Sequence, residues 1–332
     1  MILRHKQSGK ALEITLRPFR PADAPQVIAC IRDAYGDTYV KPDLYTEEGI
    51  LRHEARGDLC FSVAETGEGE VAGVTAYALS ERFPGLSEIA CQVIRREFSG
   101  FGLALPLALH AMERAEALPV TGQYARALGC HLISQKTLRG MGFTACGFLL
   151  NVFDKERFTY RFQNGNYAKV PQSLAVKAQG KSGVGPIFLP EEWEDLAASC
   201  LRRLGVSWEP APAGEPAGPD RWDWEMDETH ATLTLWARTC GEAFARHLDR
   251  ALAEADRPGG SVNLFLRLSC PGSAGALREA RRRGFFVTGL LPCGEGGADL
   301  ILHHPLRLPV RLEGIPCIPD YEPFLDQIRR QL

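Results

Sequence analysis

Apolar residues recur along this chain with two periods, and the switching between them divides the first half into short strands and helices. Leu12, Ile14 and Leu16 alternate with polar neighbours and predict a strand. Behind a helix start at Pro21, Ala22 and Asp23, residues Val27, Ile28, Ile31 and Tyr35 recur at helical spacing. A second helix is expected over 47–56. Two strands follow, 60–64 and 71–79, joined by the hairpin signal E-T-G-E-G-E. A fourth strand over 88–94 runs through a glycine-containing turn into a helix reaching about Ala117. A fifth strand at 124–128, a helix at 134–140 and a last strand at 148–153 complete the order β-α-α-β-β-β-α-β-α-β.

The second half repeats part of this pattern. After Pro171 come a strand-like S-L-A-V-K-A, a helix P-E-E-W-E-D-L-A-A-S-C-L-R-R-L-G and the low-complexity linker P-A-P-A-G-E-P-A-G-P. Strand A-T-L-T-L-W-A, a helix over 240–255, strand S-V-N-L-F-L-R-L and the segment A-L-R-E-A-R-R-R-G-F-F-V-T-G-L-L follow. Gly142-Phe143 with Gly147 and Leu149 matches Gly284-Phe285 with Gly289 and Leu291 at identical spacing. That repeat predicts two related domains in tandem, over 1–160 and 161–332.

Chemistry concentrates in V-I-R-R-E-F-S-G-F-G-L-A-L-P-L-A-L-H-A-M, Val93 to Met112. Gly100 and Gly102 let the backbone take dihedrals closed to other residues and let a ligand come close. The amides left unpaired there sit at the positive end of the following helix, which suits an anion, phosphate above all.

Composition narrows the partners. With 45% hydrophobic residues and a net charge of −3, the 332-residue chain has globular cores and gives no case for nucleic acid. The basic runs at Arg202-Arg203 and Arg278 to Arg283 read as solvated helix faces. The start, M-I-L-R-H-K, has no apolar signal core, and no stretch approaches the roughly 18 apolar residues of a membrane span. A cytoplasmic location with no membrane partner is expected. Ten scattered cysteines form no C-x-x-C pair and read as reduced, mostly buried thiols. Adjacent His303 and His304 on a strand point to opposite faces, so no metal is expected.

The strand order, with the glycine turn after the fourth strand, resembles the GNAT acyltransferase superfamily, whose members move an acyl group from coenzyme A to an amine. L-R-P-F-R-P-A-D-A-P is similar to that family's first strand and helix start, and F-S-V-A-E-T-G-E-G-E-V-A-G-V-T-A-Y-A-L to its hairpin. E-F-S-G-F-G-L-A resembles its pyrophosphate loop, with Glu97 and Ser99 departing from the usual residues, and S-Q-K-T-L-R-G-M-G-F the segment flanking the coenzyme A thiol. The resemblance implies an α/β (α+β) fold of two GNAT-like mixed-sheet domains in tandem, the second degenerate. It implies acetyl-CoA or another acyl-CoA as co-substrate, and an amine acceptor, either a small molecule or a protein lysine.

Residue by residue, it implies that amides of Phe98, Ser99, Gly100, Phe101, Gly102, Leu103 and Ala104 hold the pyrophosphate. Pantetheine would pair with the backbone of Cys91, Gln92, Val93 and Ile94, like an added strand. Glu88 stands where several members carry a base, and the bland alternative is a solvated strand end. Leu138 replaces the acid tyrosine of many members, which leaves Tyr124 as the nearest acid or a core residue. His131 is either a pantetheine contact or a helix cap, and Ser134 starts the same helix, with capping the simpler account. In the second copy T-C-G-E-A-F replaces the loop, placing Glu242 against any phosphate. That copy is expected to pack against the first and wall the acceptor cleft, or to bind the acceptor or a partner. The competing expectation for the whole chain is a non-catalytic acyl-CoA-sensing or protein-binding regulator. A dinucleotide-binding fold is excluded, because a hairpin and not βαβ units precedes the turn.

Overall fold

A computed structural model describes residues 1–161, 165–178, 183–215, 218–293 and 296–332. Strand β1 (Ile2–Arg4), which alternation over three residues is too short to announce, pairs antiparallel with β2 (Ala11–Pro18). Helix α1 (Ala24–Tyr35) follows a 3-10 turn at Pro21–Asp23, whose carboxylate side chain pairs with buried Arg17 at 2.7 Å. Helix α2 (Glu47–Arg56) starts where the Thr46 hydroxyl accepts a hydrogen bond from the Gly49 amide, and it stops at Gly57, φ 70°. Strands β3 (Cys60–Thr66), β4 (Val71–Leu79) and β5 (Leu86–Ile94) then run as an antiparallel meander.

Helix α3 (Ala104–Ala115), strand β6 (Gly122–Leu128), helix α4 (Ile133–Gly140) and strand β7 (Thr144–Asp154) follow in the expected order. Strand β8 (Lys169–Ala178) lies between β6 and β7, antiparallel to both. The first unit's sheet therefore runs to Ala178, past the expected break at 160. Period-two alternation identifies a strand without saying which sheet it joins, so S-L-A-V-K-A was legible as a strand but not as a central one.

The second half opens with β9 (Gly183–Phe188), helix α5 (Glu194–Arg203) and β10 (Ser207–Ala211), the two strands forming a separate parallel pair. The linker expected at 210–219 joins β10 to β11 (Arg221–Asp227) inside this half, with 216–217 outside the described residues. Strand β12 (Thr232–Thr239), helix α6 (Phe244–Ala255), strand β13 (Ser261–Arg267) and helix α7 (Ser273–Arg282) come next. Strands β14 (Phe286–Cys293) and β15 (Gly297–His304) and helix α8 (Glu322–Arg329) end the fold.

Among the described residues thirteen strands make one sheet, in the order β1-β2-β3-β4-β5-β6-β8-β7-β14-β15-β13-β12-β11. Read inward from either side, β4-β5-β6-β8-β7 and β11-β12-β13-β15-β14 are the same arrangement, each with one parallel pair, β5 with β6 and β12 with β13. The fold is one mixed sheet in which the later strands of the first half recur in the second. The copies meet where Gly147 of β7 faces Gly289 of β14. These are the glycines matched in the sequence repeat, and the reason is steric. A Cβ on Gly147 would sit 2.5 Å from Gly289 Cα, and one on Gly289 would sit 2.3 Å from the Cys146 carbonyl.

Side chains of the second half's strands point alternately to two cores. Leu233, Leu235, Leu264 and Leu266 pack under α5 to α8, whereas Trp236, Phe265 and Ile301 enter the core that holds α1 of the first half. Buried Lys169 ties the seam, its ammonium donating to the His230 carbonyl at 2.6 Å, Thr232 Oγ1 at 2.5 Å and Ser261 Oγ at 3.0 Å. Burial pulls its pKa down to about 8, which still leaves it charged at neutral pH. All ten cysteines are free thiols and eight are buried, as their apolar surroundings suggested. Among the described residues no helix is long and apolar enough to cross a membrane, and no cluster of three metal-ligating side chains occurs.

Candidate functional site

Strands β5 and β6 pair in parallel only from Leu86 with Gly122 to Ile89 with Ala125. Beyond that β5 carries a bulge, marked by a register shift against β4 and by Cys91 at φ 49°. The two strands then diverge, leaving 92–94 and 126–128 unpaired with each other. Of the four β5 residues expected to face pantetheine, Cys91 and Val93 have buried side chains. Burial pushes the Cys91 thiol up to about 12, so it stays protonated. Gln92 Nε2 donates to the Ala104 carbonyl at 2.8 Å, fastening the strand to the first turn of α3. The Ile94 carbonyl accepts from Arg161, whose other arm reaches Asp33 of α1 at 2.5 Å.

After β5 the chain makes a 3-10 turn at Arg96–Phe98, anchored by the Arg96 amide on Asp33 at 2.8 Å. Two amides of the expected cradle are spent inside this turn, Phe98 on the Arg95 carbonyl at 3.0 Å and Ser99 on that of Arg96 at 3.1 Å. A 3-10 turn closes its own i to i+3 bonds, which the sequence pattern did not announce. From Gly100 to Ala104 the amides have no protein acceptor among the described residues, and α3 begins with no side-chain cap. Gly100 and Gly102 take φ of 85° and 76°. A Cβ on Gly102 would meet nothing within 4 Å, so that glycine serves the dihedral and access. Phe101 and Leu103 are buried, Phe101 edge-on to His5 at 5.0 Å. Glu97, a departure that would repel phosphate, is paired with Arg95.

At the closed end of the divergence three side chains converge on one face. Tyr124 Oη donates to Glu88 Oε2 at 2.9 Å, Arg126 Nε donates to Glu88 Oε1 at 3.0 Å, and Ser80 Oγ donates to Tyr124 Oη at 3.3 Å. Register explains it: Glu88 faces Tyr124 across the parallel pair, and Arg126 is two residues further on the same face. Burial, reinforced by the charge of Glu88, holds the Tyr124 hydroxyl well above its ordinary range. Phe83 stands edge-on to Tyr124 at 5.1 Å and to Phe265 of the second half at 5.1 Å, so the second half packs beside this end.

His131 takes the capping role. Its Nδ1 accepts from the Ile133 amide at 3.1 Å and its ring stacks on Tyr160 at 5.1 Å. Burial, with the charge of Arg161, pulls it down to about 4, so it is neutral at physiological pH. Ser134 makes no cap bond, because α4 starts one residue earlier than expected. Leu138 is buried in the apolar core with α3 and offers no acid. Sequence reasoning missed Arg126, Asp33 and Arg161. Arg126 was recoverable from strand alternation once β6 was known to lie beside β5; the other two meet across 128 positions and leave no local signal.

In the second half the parallel strands stay zipped, with six consecutive pairs from Thr232 with Ser261 to Ala237 with Leu266. The third pair of the ladder, Glu88 with Tyr124 in the first half, is Thr234 with Asn263 here. At the turn into α6 the amides of Gly241 and Ala243 donate to the two oxygens of Asp220, at 2.7 and 2.9 Å. The expected blocker, Glu242, is instead exposed. Asp220 occupies these amides from 21 and 23 residues upstream, a placement only the tertiary fold creates.

No family model matches the chain, and no curated protein does. Among solved structures it is similar to a putative acetyltransferase from Acinetobacter baylyi, at 14% identity over 50% of this chain and 92% of that one, with a TM-score of 0.41. It is similar to a ribosomal-protein-alanine N-acetyltransferase from Brucella melitensis, at 22% identity over 49% and 99%, TM-score 0.40. YncA, a putative acetyltransferase from Salmonella typhimurium solved with acetyl-CoA, aligns at 14% identity over 51% and 95%, TM-score 0.42.

Proposed function

We propose that the first half is an acyl-CoA-dependent N-acyltransferase and that the second half does not bind acyl-CoA but walls the acceptor end. The observation that carries the reading is the run of unpartnered amides from Gly100 to Ala104, set at the mouth of the β5–β6 divergence. Five consecutive donors at an uncapped helix start suit a pyrophosphate. The stretch 92–94 of β5, unpaired with β6 though Arg161 holds the Ile94 carbonyl, suits an arm carrying amides. Bound there, acyl-CoA supplies the thioester carbonyl that an amine attacks.

In this reading Glu88 takes the amine's proton, directly or through water. A lysine-type amine with a pKa near ~10.4 is otherwise mostly charged at neutral pH. Tyr124 and Arg126 each hold one carboxylate oxygen, fixing its direction. Tyr124 is therefore a positioning residue. With its hydroxyl pKa raised and its hydrogen bond already donated to Glu88, transfer to a thiolate of pKa near ~8.5 runs uphill, and that leaving group needs no acid. The fixed slot brings the two reactants together, and this supplies a further part of the rate.

Titration calorimetry with acetyl-CoA tests the reading. Micromolar binding that releases free coenzyme A when amines are added is expected, and no heat at millimolar ligand overturns it.

A further inference from the structure

The charges at the acceptor end are specific enough to name what the amine carries. Arg126 is committed to Glu88 through Nε alone, and among the described residues its two Nη groups make no hydrogen bond. Its side chain is 42% exposed where that of Glu88 is 18% exposed, so the guanidinium is the more accessible to a ligand of the two. The other arginines near this end are already used. Arg82 pairs with Glu225 and covers Trp236 at 4.5 Å, and Arg238 donates to Asp223 and to the Arg82 carbonyl. Lys41, in the loop between α1 and α2, is exposed. The opening thus presents one carboxylate and, beside it, an arginine fork with spare donors.

We infer that the acceptor is a small amine with a carboxylate a few bonds from the nitrogen, an amino-acid-like zwitterion, whose carboxylate sits on the Nη groups of Arg126 while its nitrogen faces Glu88. A planar fork matches a carboxylate with two parallel hydrogen bonds. Opposite charges 3.0 Å apart complement a molecule whose own opposite charges are close together. A polyamine or a lysine side chain would instead bring an extended cation past Arg126, where like charges repel. The inference rests on the acyltransferase reading for which end receives the amine.

Binding of matched pairs tests it: the twenty amino acids against their decarboxylated amines, titrated into the full-length protein with and without coenzyme A. Wild type is expected to favour the carboxylate-bearing member by about tenfold or more for at least one pair, the scale of one charge-assisted contact. Arg126→Gln should bring that ratio close to one, and Arg126→Lys should restore part of it. A purely structural arginine would lower binding of both members alike and leave the ratio standing. A ratio near one in wild type, a ratio insensitive to Arg126→Gln, or no binding of any carboxylate-bearing member overturns the inference. Failure of acetyl-CoA to bind would overturn the acyltransferase reading instead, and the ratio remains measurable without it.

Discussion

The two halves share one ladder of strands, yet they differ at the two places where a nucleotide-carrying thioester would lie. In the first, a bulge at Cys91 parts β5 from β6 after four pairs, and the amides at the start of α3 are left without acceptors. In the second, β12 and β13 stay paired for six, and Asp220 occupies the amides at the start of α6. An uninterrupted strand pair and a helix cap are ordinary means by which a scaffold could be kept while a ligand site on it is closed. What the second copy retains is its seam with the first and a face that packs on Phe83 through Phe265.

The seam is where the halves are most alike, and breaking it should have the largest effect. Gly147→Val and Gly289→Val each place a branched side chain within 2.6 Å of the opposite backbone, Gly147 also at φ 138°. Each should destabilise the protein by about 3 kcal/mol or more, beyond ordinary overpacking, because backbone cannot move aside. Thermal melts check this; a loss for one variant and not the other would show that the two glycines are not equivalent. Next comes the loop that distinguishes the halves. Gly100→Val puts a β-branched residue at φ 85° and should weaken acetyl-CoA binding by about a hundredfold, the loss of two or more hydrogen bonds to a charged group. Wild type should bind one acetyl-CoA per chain, and a stoichiometry of two would erase the contrast between the copies. Glu88→Gln should leave that binding in place and lower turnover by about a hundredfold, the usual range for a general base. Normal turnover would remove Glu88 from the reaction.

Much of this contrast was legible before any coordinates. The glycine turn, the strand order and the repeat of Gly147 by Gly289 are local patterns, because dihedral freedom, alternation and close approach each act on a residue and its immediate neighbours. What escaped depends on neighbours distant in sequence. Strand β8 belongs to the first sheet only because β6 and β7 leave a gap of one strand. Arg161 meets the Ile94 carbonyl across 67 positions, and Arg126 joins Glu88 only when a parallel register is fixed. Its place in the aligned loop points to Glu242 as the residue opposing phosphate. The fold gives that part to Asp220, whose position before β11 carries no signal of its target.

Asp220 also separates the two features proposed to keep acyl-CoA from the second copy. Asp220→Ala removes both acceptors from the Gly241 and Ala243 amides, and it should lower stability by about 1 to 2 kcal/mol, the worth of a helix cap. If the capping carboxylate alone blocked the site, this variant would take up a second acetyl-CoA. The zipped register of β12 and β13 argues that it will not, because six consecutive pairs leave no strand edge for an extended arm to join. Calorimetry on Asp220→Ala should therefore still give one acetyl-CoA per chain. A second binding event would show that freeing the amides suffices, and that the parted strands of the first half serve the reaction more than the binding.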